Sequence, residues 1–286
     1  MKIQLIAILT LAAFSAAAAD SPVLRFDFGG RKPERGGAAV FPTNTYSAAK
    51  GFGFEPGLGV NSGDDCVASE KPFSFSVRVP EGNYMVTATF GGDAIASDNT
   101  VKAEMRRLML EQVKTAKGET TTRKFTVNVR TPQIADGRAV GLKQREKDNE
   151  MINWDDRLTL EFNGPRPALR SLEIEPVQVP TVFLMGDSTV CDQPREPWNS
   201  WGQMLPRFFG PGVAVANHAQ SGESIGSSLS ARRFEKVFSQ MKSNDWLFVQ
   251  FGHNDMKSKA TNALAVYKSN LKKIVAQTLE RGAIDV

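Results

Sequence analysis

The hydrophobic period of this chain changes at one proline-bounded stretch, and that change constrains the fold more than any other feature. Before Pro176-Val177-Gln178-Val179-Pro180 the apolar residues alternate; after it they come in short solid runs, each followed by a segment with helical spacing. Alternation marks half-buried strands. Apolar strands interleaved with helices mark βαβ units around a parallel sheet. The prolines stiffen the junction and cannot serve a central strand. At 286 residues the chain has room for about two domains of ~100–200 residues each.

In the first part, Phe73, Phe75, Val77 and Val79 alternate with Ser74, Ser76 and Arg78. A turn at Pro80-Glu81-Gly82-Asn83 follows, and Tyr84, Val86, Ala88 and Phe90 then alternate again. Similar short runs lie at 23–28, 124–129, 158–162 and 172–174, separated by Gly and Asp clusters. Residues 104–111 carry both the strand and the helix period. Many short strands with turn signals predict an antiparallel sandwich over residues 20–177.

In the second part the runs at 182–185, 213–216 and 246–251 end in Gly186-Asp187-Ser188, Ser221-Gly222 and Gly252-His253-Asn254-Asp255. A helix is predicted where Leu264, Tyr267, Leu271, Ile274, Val275 and Leu279 share a face, with Gly282 as its cap. A further strand is expected to start at Ile284. Ligands of open parallel sheets bind at the carboxyl ends of the strands. All three runs exit there, so Ser188, Gly222 and Asn254 are expected to converge. A serine can attack an acyl carbon, a glycine lets its N–H approach a ligand closely, and an asparagine amide can donate to a developing oxyanion. Together they suit acyl transfer.

These residues also carry a family resemblance. Gly-Asp-Ser-Thr (186–189), Ser-Gly-Glu-Ser (221–224) and Gly-His-Asn-Asp (252–255) resemble the first three blocks of the GDSL/SGNH hydrolases, in order and spacing. Gly-Asp-Ser-Thr-Val-Cys-Asp (186–192), Ser-Trp-Gly-Gln-Met-Leu (200–205) and Asn-His-Ala-Gln-Ser-Gly (217–222) resemble bacterial rhamnogalacturonan acetylesterases. The β-rich first part resembles the galactose-binding-like sandwich that precedes some of these enzymes. The implied fold is a jelly-roll-like β-sandwich (20–177) followed by an α/β, flavodoxin-like, three-layer SGNH domain (178–286), C-terminally incomplete. The implied catalytic residues are Ser188 as nucleophile, with the Ser188 and Gly222 N–H groups and the Asn254 side chain as the oxyanion hole. The nucleophile does not stand in a Gly-x-Ser-x-Gly elbow, which argues against the α/β-hydrolase fold.

The sequence departs from the family at the base. The family places its Asp and His three residues apart near the C-terminus, and no such block occurs in this chain. Its two histidines, His218 and His253, belong to other positions and read as structural. A serine without an adjacent base is a poor nucleophile, so the chain as written is expected to be weakly active or inactive. Asp187 reads as a loop-fixing acceptor. Asp192, Glu196 and Asp255 read as surface or loop carboxylates. Trp198 and Trp201 suit either sugar stacking or core packing.

Lys2, the apolar stretch 3–14 and Ala17-Ala18-Ala19 form a secretory leader over residues 1–19, too short to span a bilayer. The expected location is secreted or periplasmic, with no stable membrane insertion after cleavage. Cys66 and Cys191 fall in different predicted domains and read as separate thiols. No His, Cys and Asp cluster has metal-ligand spacing, and no glycine-rich phosphate loop occurs, so no cofactor is expected. The net charge of +4 is spread without a run of five basic residues, so no nucleic-acid partner is expected. The expected partner is an acetylated polysaccharide or oligosaccharide. Two other readings stay open: a general GDSL esterase or lipase for short acyl chains, and an inactive carbohydrate-binding fragment.

Overall fold

The structure, a computed structural model, describes residues 22–286 except 31, 32, 34, 35, 58 and 64. The predicted leader at 1–19 lies outside the described residues. Most of the regular structure is strand, arranged in three sheets.

The alternating segments of the first part form two of them. One sheet runs in the order Thr120–Val129, Gly82–Gly91, Ala168–Pro176, Leu24–Phe28, Ala38–Val40, with the short strands Asn61–Ser62 and Val67–Ala68 at its side. The other runs Phe52–Phe54, Phe73–Arg78, Arg157–Asn163, Ser97–Ala103, Arg107–Thr115. Pairing is antiparallel throughout except between Leu24–Phe28 and Ala38–Val40. The inward residues of both sheets share one core, in which Phe75 meets Phe26, Phe28 and Phe54 edge-on at 5.2–5.3 Å between ring centres. Such edge contacts add about 0.5–1.5 kcal/mol per pair beyond the area buried.

The ambiguous segment 104–111 resolves as a tight turn leading into the strand Arg107–Thr115. Glu104 and Arg106 occupy the left-handed region with φ of 53° and 63°. That turn interrupts both periods, which is why neither could be read through it.

The third sheet is parallel, in the order Ala214–Asn217, Thr181–Gly186, Trp246–Gln250, Ile284–Asp285. Its middle strand Thr181–Gly186 is buried at every position, as a strand covered on both faces must be. The last helix spans Ala263–Glu280, and Gly282 follows it with φ of 69°. It buries Ile274 and leaves Leu264 and Leu279 exposed at its ends, so the predicted apolar face is covered in its middle alone.

The first part does not stop at its two sheets. Between the strands Thr120–Val129 and Arg157–Asn163 the chain leaves the sandwich and lies against the parallel-sheet half, carrying the short helix Gln144–Asn149. Gly141 N–H donates to the Ala231 carbonyl (2.9 Å), and Glu146 pairs with Arg233 at 2.5 Å, each side chain 1% exposed. This excursion brings residues from before the proline junction to the edge where the three apolar runs end.

Candidate active site

Parallel register fixes where the three motif loops emerge. Gly186 pairs with Gln250 and Leu184 with Asn217, so the segments after Gly186, Asn217 and Gln250 leave neighbouring strands at one edge. Hydrogen bonds then tie the loops together. Gln220 N–H donates to the Gly186 carbonyl (3.1 Å), and Gln250 Nε2 to Thr189 Oγ1 (2.9 Å). Asn254 Nδ2 donates to the Glu223 carbonyl (2.9 Å), and Asp255 Oδ1 accepts from Ile225 N–H (3.1 Å). The structure thus gathers the segments of Ser188, Gly222 and Asn254 at one sheet edge.

The loop after Gly186 is wound tightly around Asp187. This carboxylate is buried and accepts from the Thr189 N–H (3.0 Å) and hydroxyl (2.9 Å), while its carbonyl accepts from Val190 and Cys191. Tight winding needs glycines beneath it: a Cβ on Gly186 would stand 2.5 Å from Val190, and one on Gly202 would stand 2.2 Å from the Val190 carbonyl. Ser188 sits at the crest, half-buried, with its carbonyl held by Gln193 Nε2 (2.8 Å). Among the described residues its hydroxyl has no side-chain partner, and neither the Ser188 nor the Gly222 N–H has a hydrogen-bond acceptor. Asn254 spends one amide hydrogen on Glu223 and keeps the other, while Lys257 Nζ holds its Oδ1 at 2.9 Å. Gly222 has φ of 74°, a conformation glycine adopts without strain.

Neither histidine stands ready as a base. His218 is fully buried, with its ring between Trp154 and Phe183. Burial, reinforced by Arg130 and Lys236, holds its imidazole well below the ordinary histidine range, so it stays neutral. His253 is exposed in the third loop. Cys191 is buried beneath the first loop with its thiol 3.1 Å from Ser221 Oγ, and burial pushes that thiol up to about 11, which keeps it protonated. Trp201 donates from Nε1 to Gln250 Oε1 (2.8 Å), and Trp198 is exposed on the loop that precedes it.

Sequence reading missed the residues that reach this edge from the first part. Asp192 is no surface carboxylate. It is 3% exposed, accepts from Arg107 Nε at 2.9 Å, and takes Asn217 Nδ2 at 2.8 Å on its other oxygen. Arg107, 1% exposed, also donates to the Asn128 carbonyl and to Asn153 Oδ1. Lys143 and Arg145, from the excursion, both donate to the Ser221 carbonyl. Nothing in the motif spacing points to any of them.

Glu104, in the turn before Arg107, is held by burial at about 8, against the pull of Arg107 and its bond from Thr159 N–H. It therefore stays protonated in the folded chain at neutral pH, whereas the unfolded chain ionises it from about 4.5. The folded state binds more protons between those values, so this group's contribution is full at low pH and is lost as pH rises towards 8. The slope is at most about 1.4 kcal/mol per pH unit. Glu104→Gln is expected to remove that loss, so the variant's stability relative to the parent rises between pH 5 and 8; urea denaturation at several pH values measures it.

A family model described as the GDSL-like lipase/acylhydrolase family matches residues 184–285, which contain all three motif loops. This segment is a GDSL-like lipase/acylhydrolase domain. Its relatives are named as esterases. The chain is 26% identical to a Bacillus subtilis protein named as an uncharacterized esterase, YxiM, over 93% of this chain and 68% of that protein. It is 37% identical to the rhamnogalacturonan acetylesterase RhgT of Bacillus subtilis over 38% of this chain and 47% of that enzyme. The crystal structure of YxiM aligns at 25% identity with a TM-score of 0.39, over 92% of this chain and 73% of that one. The chain spans about half the length of RhgT. The acylhydrolase domain and its esterase-named relatives support a carboxylic ester hydrolase.

Proposed function

We propose that this chain is an exported serine esterase of the SGNH type that removes acetyl groups from a pectic polysaccharide of the rhamnogalacturonan kind. The observation that carries the reading is the free donors around Ser188: two backbone N–H groups without acceptors and one amide hydrogen of Asn254, on loops tied together at one sheet edge. In this reading Ser188 Oγ attacks the acetyl carbon. The carbonyl oxygen becomes an oxyanion that receives hydrogen bonds from Ser188 N–H, Gly222 N–H and Asn254 Nδ2. Collapse expels the sugar oxygen, which leaves as its alcohol with the proton lost from the Ser188 hydroxyl, and leaves acetyl on Ser188; water then adds to that ester, releases acetate and restores the hydroxyl. The N-terminal sheets are a jelly-roll-like sandwich over residues 20–177, joined to a three-layer SGNH domain over 178–286.

We assign the base to neither histidine, because His218 is sealed in the core and His253 is exposed with no ion-pair partner among the described residues.

The pectic substrate rests on the likeness to rhamnogalacturonan acetylesterases. The test is acetate release from acetylated rhamnogalacturonan beside hydrolysis of p-nitrophenyl acetate and p-nitrophenyl butyrate. Release from the polysaccharide, with acetate strongly preferred over butyrate, is expected. Equal use of both model esters with no polysaccharide activity would indicate a general short-chain esterase. Polysaccharide binding without hydrolysis would indicate a binding module.

A further inference from the structure

The Ser221 carbonyl and the Gly222 N–H are opposite ends of one peptide plane. In a trans peptide they point in opposite directions, so whatever fixes the carbonyl aims the N–H. Two cations hold that carbonyl: Lys143 Nζ at 2.9 Å and the Arg145 guanidinium. Lys143 stands so near that a Cβ on Gly222 would be 3.7 Å from its ammonium. Such a brace is needed, because a plane that ends on glycine can rotate at little steric cost. Inverting this one would forfeit two charge-assisted hydrogen bonds.

The cations are themselves anchored. Lys143 pairs with Glu223 at 2.6 Å, a carboxylate 1% exposed. Arg145 donates to Gln220 Oε1 (2.8 Å), which also accepts the Ser221 N–H, and Gln220 Nε2 is held by Glu150 at 2.7 Å. The carboxylates are buried, while Lys143 and Arg145 are 35% and 44% exposed. Donors on a carbonyl also draw electron density from the N–H of the same peptide and make it a stronger donor.

We propose that Lys143 and Arg145 are positioning residues that aim and polarise the Gly222 N–H as an oxyanion donor. They precede the acylhydrolase domain in sequence, so the first part of the chain completes the site of the second. The proposal rests on the reading of Gly222 as an oxyanion donor.

The test is NMR of the whole chain with ¹⁵N-labelled glycine, comparing the parent with Lys143→Met, Arg145→Met and the double variant. The Gly222 amide proton is expected to move upfield in each single variant and furthest in the double, while Gly202 and Gly226 stay in place. With p-nitrophenyl acetate, kcat is expected to fall about tenfold with KM unchanged, less than the ~100–1,000-fold of a lost donor. Lys143→Arg should restore both signals. A stationary Gly222 signal, or a shift spread over all the glycines, would overturn the proposal, as would a Gly222 shift with unchanged kcat. If the parent shows no esterase activity, the Gly222 shift alone decides whether the cations set this peptide.

Discussion

Arg107→Ala is expected to destabilise the chain by about 3–5 kcal/mol, the range for removing one partner of a buried ion pair. Three groups would lose their donor at once: the Asp192 carboxylate, the Asn128 carbonyl and Asn153 Oδ1. Asp192 would remain a buried charge with Asn217 as its one side-chain hydrogen-bond donor among the described residues. The loss would also fall on the nucleophile loop, because Asp192 lies four residues after Ser188 and bridges it to a strand of the sandwich. Replacing both partners, as Arg107→Met with Asp192→Leu, is expected to recover much of the stability, since an apolar pair leaves no charge to desolvate. Urea denaturation of the two single variants and the double variant measures the coupling. A single-variant cost below about 1 kcal/mol would mean that water reaches the pair.

Asn254→Ala is expected to lower kcat about 100–1,000-fold, with little change in KM, because the lost amide serves an oxyanion that exists only beyond the ground state. The site is already arranged around that amide. Glu223 takes one of its hydrogens and Lys257 holds its oxygen, which leaves the second hydrogen without a partner among the described residues. Asn254→Asp keeps the shape but places a negative charge where one develops, and should lose at least as much. Steady-state kinetics on p-nitrophenyl acetate reads both. A fall confined to KM would make Asn254 a substrate-binding residue instead.

What could be read from the sequence follows the range of the interactions involved. Period and turn chemistry are local, so the strand Phe73–Arg78 and the helix Ala263–Glu280 stood where the patterns put them, while the strand Gly82–Gly91 starts two residues early, inside the expected turn at 80–83. The three motif loops were legible because each follows its own apolar run, and parallel pairing needs nothing further to align their ends. Contacts between distant segments left no such trace. Arg107 and Asp192 are 85 positions apart, and Lys143 and Ser221 are 78 apart. A lone Asp in a polar loop reads as solvated until the strand that buries it is known. Residues 104–111 failed for a local reason: Glu104 and Arg106 take left-handed conformations that side-chain patterning does not signal.

The most direct test of the central claim is to find where an acetyl group lands. The chain would be incubated with p-nitrophenyl acetate, quenched in acid, digested and analysed by mass spectrometry for acetylated peptides, beside Ser188→Ala. The account predicts acetyl on Ser188, absent from the variant and diminished in Asn254→Ala. Acetyl found on Thr189, Ser221 or surface lysines, with none on Ser188, would contradict it.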